Sequence, residues 1–427
     1  MASARLETPP QPWPLWLKLL WQAVALLLLG LQLPPFLSSL LVQEPEPIDF
    51  AQEWASARNW WQGAAVYADQ RETLPRLLDL PPPPGGQRRE WYIVYNAHPP
   101  GAVLLGLPFG LLTDYHQAAA LWNLLSLAAL LAAVAVMLTE LGVRVAPWLW
   151  LPLLGAALLY NPLRQQVNQG QLNGVLLLVL TLAWRCWRRE RQACTGLWLA
   201  VATVLKLFPG FLFLLLLARG QWRGLWVGVG AGLVLTLVGV IVLGLPAHVD
   251  YVTKVLPAVH DFRCGKLNAS LAGLFTKLFV GSEFEKVRPW LAAPGLAWGL
   301  TVAAGLGLAM LVIWHARRRP ADQAFSLALV AMTLASPITW DHSLLLLTLP
   351  LIWLSQQASS PARRLGLMGV VLVFGFHHHG CWRVGAEQGW LPEVFGVAQT
   401  LGLASLLCYA QLLLLGLLCP PMAQERT

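Results

Sequence analysis

Long apolar runs constrain this 427-residue chain more than any other feature. One covers 14–42 (PLWLKLLWQAVALLLLGLQLPPFLSSLLV) and another covers 224–246 (GLWVGVGAGLVLTLVGVIVLGLP). A helix needs about 20 apolar residues to cross the hydrocarbon core. Both runs suffice. Hydrocarbon offers the backbone no hydrogen-bond partners, so the reading is an all-α, polytopic membrane protein and excludes a soluble globular enzyme. Composition agrees: 57% of residues are hydrophobic and 12% charged, against about 45–50% and about 25% in soluble domains. The 22 Trp fit the two interfaces of a bilayer. No small-residue cleavage site closes the first run, so 14–42 is expected to be a retained anchor.

The basic residues set the threading. The net charge of +8 gathers in short loops: Arg185 to Arg191, Arg219 to Arg223, Arg317 to Arg319, and Arg363 with Arg364. Nucleic acid would also attract a basic chain, but short clusters between apolar runs read as cytoplasmic loops. The whole of 1–427 is then one integral membrane domain with the N-terminus inside. Its first outer loop is 43–98, containing the linker Pro81 to Gly86, and its second is 246–289. Spans are expected near 117–139, 144–161, 171–187, 224–245, 290–315, 321–337, 342–358, 364–376 and 395–418. With the anchor this gives about ten full spans in about twelve segments. Two stretches break the alternation. Residues 99–113 are short and proline-marked, a broken helix on the outer side. Residues 193–218 lie between two basic loops and are interrupted by Lys206 and Pro209, so a helical hairpin of two short halves is expected, the alternative being one full span at each place with the Arg188 cluster outside. The localisation implied is multi-pass in a plasma membrane.

With this threading the unusual polar groups fall on the outer face. Asp49 opens the first outer loop, followed by AQEWASARNWWQGAAVY, which reads as an amphipathic interfacial helix. Tyr95 and His98 precede the next apolar stretch. Four amides fall within Asn168 to Asn173, among them Gln171, a costly arrangement unless they line a polar cavity. Lys206 interrupts an apolar run, Asn268 sits in the second outer loop, and Asp341 with His342 opens a late segment. Each also has a plain reading: Asp49 as a solvated acid or helix cap, the amides as interhelical glue, Lys206 as a snorkelling cation, His342 as a packed histidine. Asn268 also matches a glycosylation acceptor, which matters only in a secretory pathway. No phosphate-cradling glycine loop or paired-cysteine motif occurs. His377, His378 and His379 are adjacent and cannot all face one metal, so no metal or other cofactor is expected. Cys264 and Cys381 fall in outer loops, where a disulfide between them is open.

Taken in order, these motifs resemble glycosyltransferase family 87, a group of GT-C membrane glycosyltransferases. The resemblance rests on Asp49-Phe50 with Gly63 and Tyr67, Ala97-His98-Pro99-Pro100, Gly170-Gln171 with Asn173, and Lys206 with Pro209. It continues through Asn268 and Ser270-Leu271 to Ser336-Pro337 and Trp340-Asp341-His342. His98 stands where the family usually has an aromatic residue. The resemblance implies a bundle of membrane helices with its active site at the outer surface. It implies inverting transfer of a hexose, most often mannose, from a polyprenyl-phosphate donor to a hydroxyl of a glycan or glycolipid. Asp49 matches the catalytic aspartate and His342 a position near the donor. In such a displacement a carboxylate takes the hydroxyl proton, worth about 10²–10⁴ in rate, and a cation such as Lys206 meets the departing phosphate. Gln171 and Asn173 are candidates for holding sugar or phosphate, with His98, Tyr95, Asn268 and Asp341 for the acceptor or cavity wall. A transporter or lipid flippase is the competing reading, and a non-catalytic membrane subunit a third. Transporters gather their polar groups near the midplane and often show internal repeats; here the groups sit at one face and no convincing repeat is found.

Overall fold

The computed structural model describes residues 13–43, 48–79 and 94–420; the linker at 81–86 lies outside them. Helices dominate, and the described residues add only two isolated β-bridges. The first helix, α1 (Leu15–Leu40), buries only Ala25 and Leu40. A helix apolar on every side yet exposed belongs in lipid. Two short helices follow, α2 (Ala51–Trp61) and α3 (Gln70–Leu77). Next come α4 (Pro100–Gly106), prolonged by a 3-10 turn to Leu111, and α5 (Tyr115–Glu140), capped by Asp114. The chain continues through α6 (Trp150–Leu159), α7 (Asn161–Asn168), α8 (Asn173–Arg188), α9 (Gln192–Leu205), α10 (Phe213–Ala218) and α11 (Trp222–Leu243). Short α12 (Leu245–Asp250), α13 (Leu256–Val259) and α14 (Leu271–Phe279) lead to α15 (Pro294–Arg318). Last come α16 (Ala321–Ala335), α17 (Thr348–Gln357), α18 (Pro361–Gly375), α19 (His378–Glu387), α20 (Val397–Leu401) and α21 (Leu406–Leu418).

Among the described residues, five helical runs are long and apolar enough to cross a membrane: α1, α5, α11, α15 and the run Val397–Leu418. A sixth exists if α18 and the helix after it, bent by 61°, act as one span. About ten full spans is therefore not what helix length alone supports. The reason is local: Pro147 opens only a 3-10 turn before α6, Asn161-Pro162 starts a separate helix after it, and Ser336-Pro337 ends α16. The run at 342–358 begins as a 3-10 turn, Asp341–Leu347.

The arginine clusters meet at one end of the molecule. Arg185 and Arg189 each reach Glu140 at 2.7 Å, joining the ends of α8 and α5. The Arg219 guanidinium lies 4.4 Å from the Trp187 ring centre, and its Nε donates to the Ala316 carbonyl at 2.8 Å. Arg317 Nε donates to the Ala218 carbonyl at 3.1 Å, and His315 Nε2 lies 3.2 Å from the Cys419 carbonyl. Both ends of the α9–α10 stretch therefore lie at this basic end, with Lys206 at the turn between them. Glycines let α9 lie directly on α11: a Cβ on Gly196 would collide with the Gly224 carbonyl. The centre of the fold is α16, buried from Gln323 to Leu334.

Two expectations change. The stretch 51–61 is not an interfacial helix with one wet face; α2 is buried from Ala51 to Ala57 because it is wedged among α4, its 3-10 extension and α5. Cys264 and Cys381 are both free. Cys264 is buried in a small cluster with Trp382 and Phe395, of which Cys381 is not a member. The disulfide pair is Cys186 and Cys194, across the arginine turn.

Candidate active site

Asp49 sits in the short connection before α2, at the end of the molecule opposite the arginines. Its neighbours pin it. Ile48 N–H donates to the Tyr115 hydroxyl at 2.9 Å, and Phe50 N–H to the Gln169 carbonyl at 3.2 Å. The Phe50 ring stacks on Trp122 at 4.9 Å, and Trp122 Nε1 donates to the Gly170 carbonyl at 2.6 Å. Gly170 has φ +60°, and a Cβ there would lie 2.8 Å from that of Phe50. Only glycine allows this turn to press against the Asp49 connection.

The amide-rich turn divides its labour. Asn123 reaches in from α5 to donate to the Val167 carbonyl at 3.1 Å, and Gln166 donates to the Gln171 carbonyl, so both hold the backbone. Gln171 and Asn173 serve the site. Gln171 Nε2 donates to Asp49 Oδ2 at 2.9 Å. Asn173 Oδ1 accepts from Lys206 Nζ at 3.1 Å, while its Nδ2 lies 2.8 Å from His342 Nδ1. Lys206 ends α9 in extended backbone (φ −145°), which swings its side chain out of the helix towards α8. His342 N–H donates to Asp341 Oδ1 at 2.8 Å, and Asp341 Oδ2 accepts from Asn161 Nδ2 at 3.0 Å. The network therefore runs from Lys206 through Asn173, His342 and Asp341 to α7.

A second arm comes from α2 itself. The Glu53 carboxylate, buried one turn after Asp49, meets Nδ1 of the His98 ring. Gln52 Oε1 accepts from Ala97 N–H at 3.1 Å, Asn96 Nδ2 donates to Ser56 Oγ at 3.1 Å, and the Tyr67 hydroxyl donates to the His98 carbonyl at 2.8 Å. Burial pushes the Asp49 carboxyl above the usual carboxylate range. The Gln171 hydrogen bond opposes this shift, Glu53 adds to it, and His98 and Lys206 reduce it. A buried carboxylate biased towards taking up a proton is what a general base needs.

Of the residues singled out from sequence, Asp49, His98, Gln171, Asn173, Lys206, Asp341 and His342 belong to this network. Asn268 and Tyr95 do not. Asn268 fastens the second loop to the stretch before His342: its Nδ2 donates to the carbonyls of Arg263 and Pro337, and its Oδ1 accepts from the Thr339 N–H at 3.0 Å. Tyr95 packs in a satellite cluster with Tyr67 and Tyr251. Glu53, Asn161 and the pair Gln165–His377, 3.2 Å apart, were missed. The signal for Glu53 was present, a carboxylate one helical turn after Asp49 in a segment rich in alanine and tryptophan. Among the described residues, no group of three His, Cys, Asp or Glu side chains converges on a metal position.

Residues 96–337, more than half of the chain, match the sequence model of glycosyltransferase family 87. The chain belongs to that family. The matched stretch includes His98, Gln171, Asn173, Lys206 and Asn268; Asp49 lies before it, and Asp341 and His342 after it. An alpha-(1->3)-arabinofuranosyltransferase of Corynebacterium glutamicum is 26% identical over 63% of this chain and 57% of its own length. Its Mycobacterium tuberculosis namesake is 30% identical over 53% and 57%. A polyprenol-phosphate-mannose-dependent alpha-(1-2)-phosphatidylinositol pentamannoside mannosyltransferase of Mycobacterium tuberculosis is 27% identical over 78% and 74%. This chain thus spans little more than half the length of the arabinofuranosyltransferase relatives. No solved structure matches.

Proposed function

We propose that this chain is an inverting membrane glycosyltransferase, moving a hexose from a polyprenyl-phosphate donor to a hydroxyl of a glycan or glycolipid. The observation that carries the reading is Asp49, a buried carboxylate oriented by Gln171 and faced by Lys206 across the site. Asp49 takes the proton of the attacking hydroxyl as the new bond to the anomeric carbon forms and the bond to the phosphate oxygen breaks. The polyprenyl phosphate leaves already anionic and needs no acid. Lys206, tied through Asn173 to His342, supplies the positive charge that its departure requires. Gln171 and Asn173 orient Asp49 and Lys206, and His98 and Asp341 are assigned to the wall on the acceptor side. No metal or other cofactor enters this chemistry.

The mannosyltransferase relative is matched over about three quarters of both chains, which favours a mannose donor over a pentofuranose. The threading adopted is about ten passes in a plasma membrane with the arginine end cytoplasmic and the site facing the periplasm or exterior. The test is transfer from labelled polyprenyl-phosphate mannose in membranes holding equal amounts of wild type or Asp49→Asn. Transfer by wild type and none by the variant supports the reading. Equal transfer from both removes Asp49 as base. Transfer only from polyprenyl-phosphate arabinofuranose keeps the chemistry and replaces the sugar. No transfer from either donor, with lipid scrambling by both proteins, turns the reading into a flippase.

A further inference from the structure

The second long connection, 244–293, contains an exposed apolar stripe that the site chemistry does not use. Beyond Gly244 (φ +86°) the chain is helical from Leu245 to Val259, through α12, a π turn at Tyr251–Val255 and α13. Leu245, Val249, Val252 and Leu256 recur at i, i+4, i+7 and i+11, and their side chains are 61%, 49%, 59% and 41% exposed. That spacing puts all four on one face. The other face packs inward through Ala247, Tyr251 and Val255. Lys254 and Asp250, 2.9 Å apart, lie off the stripe. Four large aliphatic side chains in one unpartnered row are a poor surface to leave in water.

The stripe continues a surface already suited to lipid. On α11, Leu233, Leu237 and Ile241 are exposed in the same i, i+4 rhythm, and Leu245 is the first exposed aliphatic side chain beyond the Gly244 break. His248 folds back against α11: a Cβ on Gly239 would lie 3.0 Å from its Nε2, so the helix leaves the span at a sharp bend. We infer that 245–259 is an interfacial helix whose apolar stripe is seated among the acyl chains and headgroups of the leaflet at the site end. Its inner face touches the site. The Tyr251 ring lies 5.7 Å from that of Tyr67, whose hydroxyl holds the His98 carbonyl. The depth of this helix in the leaflet therefore fixes the height of the His98 wall, and with it the level at which a lipid-linked phosphate meets Lys206. This last step rests on the transferase reading; the seating of the helix does not.

Two measurements separate them. A photoreactive benzoylphenylalanine is placed at Val252, or at Lys254 as control, in the full chain reconstituted in vesicles of labelled phospholipid. A phospholipid adduct from position 252 and little from 254 is expected. No adduct at 252, or a crosslinked pair of chains instead, overturns the seating. The second measurement compares Val249→Lys/Val252→Lys with wild type. The Michaelis constant for a long-chain donor in vesicles should rise about tenfold or more, while use of a short-chain, water-soluble donor in detergent stays within about twofold of wild type. Equal losses with both donors overturn the link to the site. A lipid adduct without transfer by wild type leaves the interfacial helix standing and removes the transferase.

Discussion

Asp49 is anchored by a backbone bond on either side and by Gln171 at its carboxylate, so its removal is a chemical change more than a structural one. Asp49→Asn keeps an oxygen for Gln171 and should lower transfer by about 10²-fold or more, the usual contribution of a general base. Its effect on stability has the opposite sign. Burial raises the folded carboxyl above its unfolded value of about 3.9, so the group's contribution to stability is full below that value and is lost as pH rises through the folded one. Asn carries no such dependence. The variant should melt no lower than wild type at pH 4, gain on it as pH rises through the folded value, and keep a constant margin above that. Thermal unfolding followed by tryptophan fluorescence reads this; a variant that melts lower at every pH would mean that the carboxylate is structural. The same shift places the acid limb of kcat/KM above the range of an ordinary carboxylate, rising with pH as Asp49 ionises. Lys206→Met tests the other side of the site: with the cation at the leaving phosphate, as proposed, donor turnover should fall while acceptor KM stays within about twofold.

At the scale of elements, the glycines decide how closely the parts of the site approach. Gly170→Ala forces a non-glycine residue to positive φ, costing about 1–2 kcal/mol, and drives its Cβ against Ile48 and Phe50. The Asp49 connection must yield, so activity should fall well beyond the loss of stability; activity at wild-type level with a lowered melting point would show that the connection tolerates displacement. Much of this was legible in the sequence. Asp49, Gln171, Asn173, Lys206 and His342 stood out because a polar group in a membrane chain is costly and so must have partners. The partners themselves were not legible. That Asn173 joins Lys206 to His342 depends on α8 bringing residue 173 to two segments 33 and 169 positions away, and no local pattern encodes that crossing. Composition also misplaced the interfacial helix. The stretch 51–61 has the tryptophans and charges of one, yet its polar groups are consumed by residues 96–98, whereas 245–259 shows its apolar face only once the inward packing of Tyr251 and Val255 is known.

For the whole molecule, the decisive matter is parity, and α9–α10 decides it. If 193–218 crossed the membrane once, the arginines before and after it would lie in different compartments. In the fold they lie together: Arg219 stacks on Trp187, and Arg317 bonds the last carbonyl of α10. The hairpin costs an irregular backbone at Lys206 to Pro209, tolerated because Lys206 is met by Asn173 and Pro209 is buried in the protein. It also delivers a cation from the arginine side to the site, which a straight span could do only by burying it at mid-helix. Single cysteines at Arg189, Arg223 and Lys254 in an otherwise cysteine-free chain, labelled in intact cells with a membrane-impermeant maleimide, test this arrangement. Position 254 should react, while 189 and 223 should react only after the cells are opened. If 189 and 223 differ from each other, the hairpin is a span, and Lys206 would then lie in a continuous crossing helix. If all three react in intact cells, the positive loops face outward and the site end faces the cytoplasm, where the sugar donor would have to be supplied on the opposite leaflet.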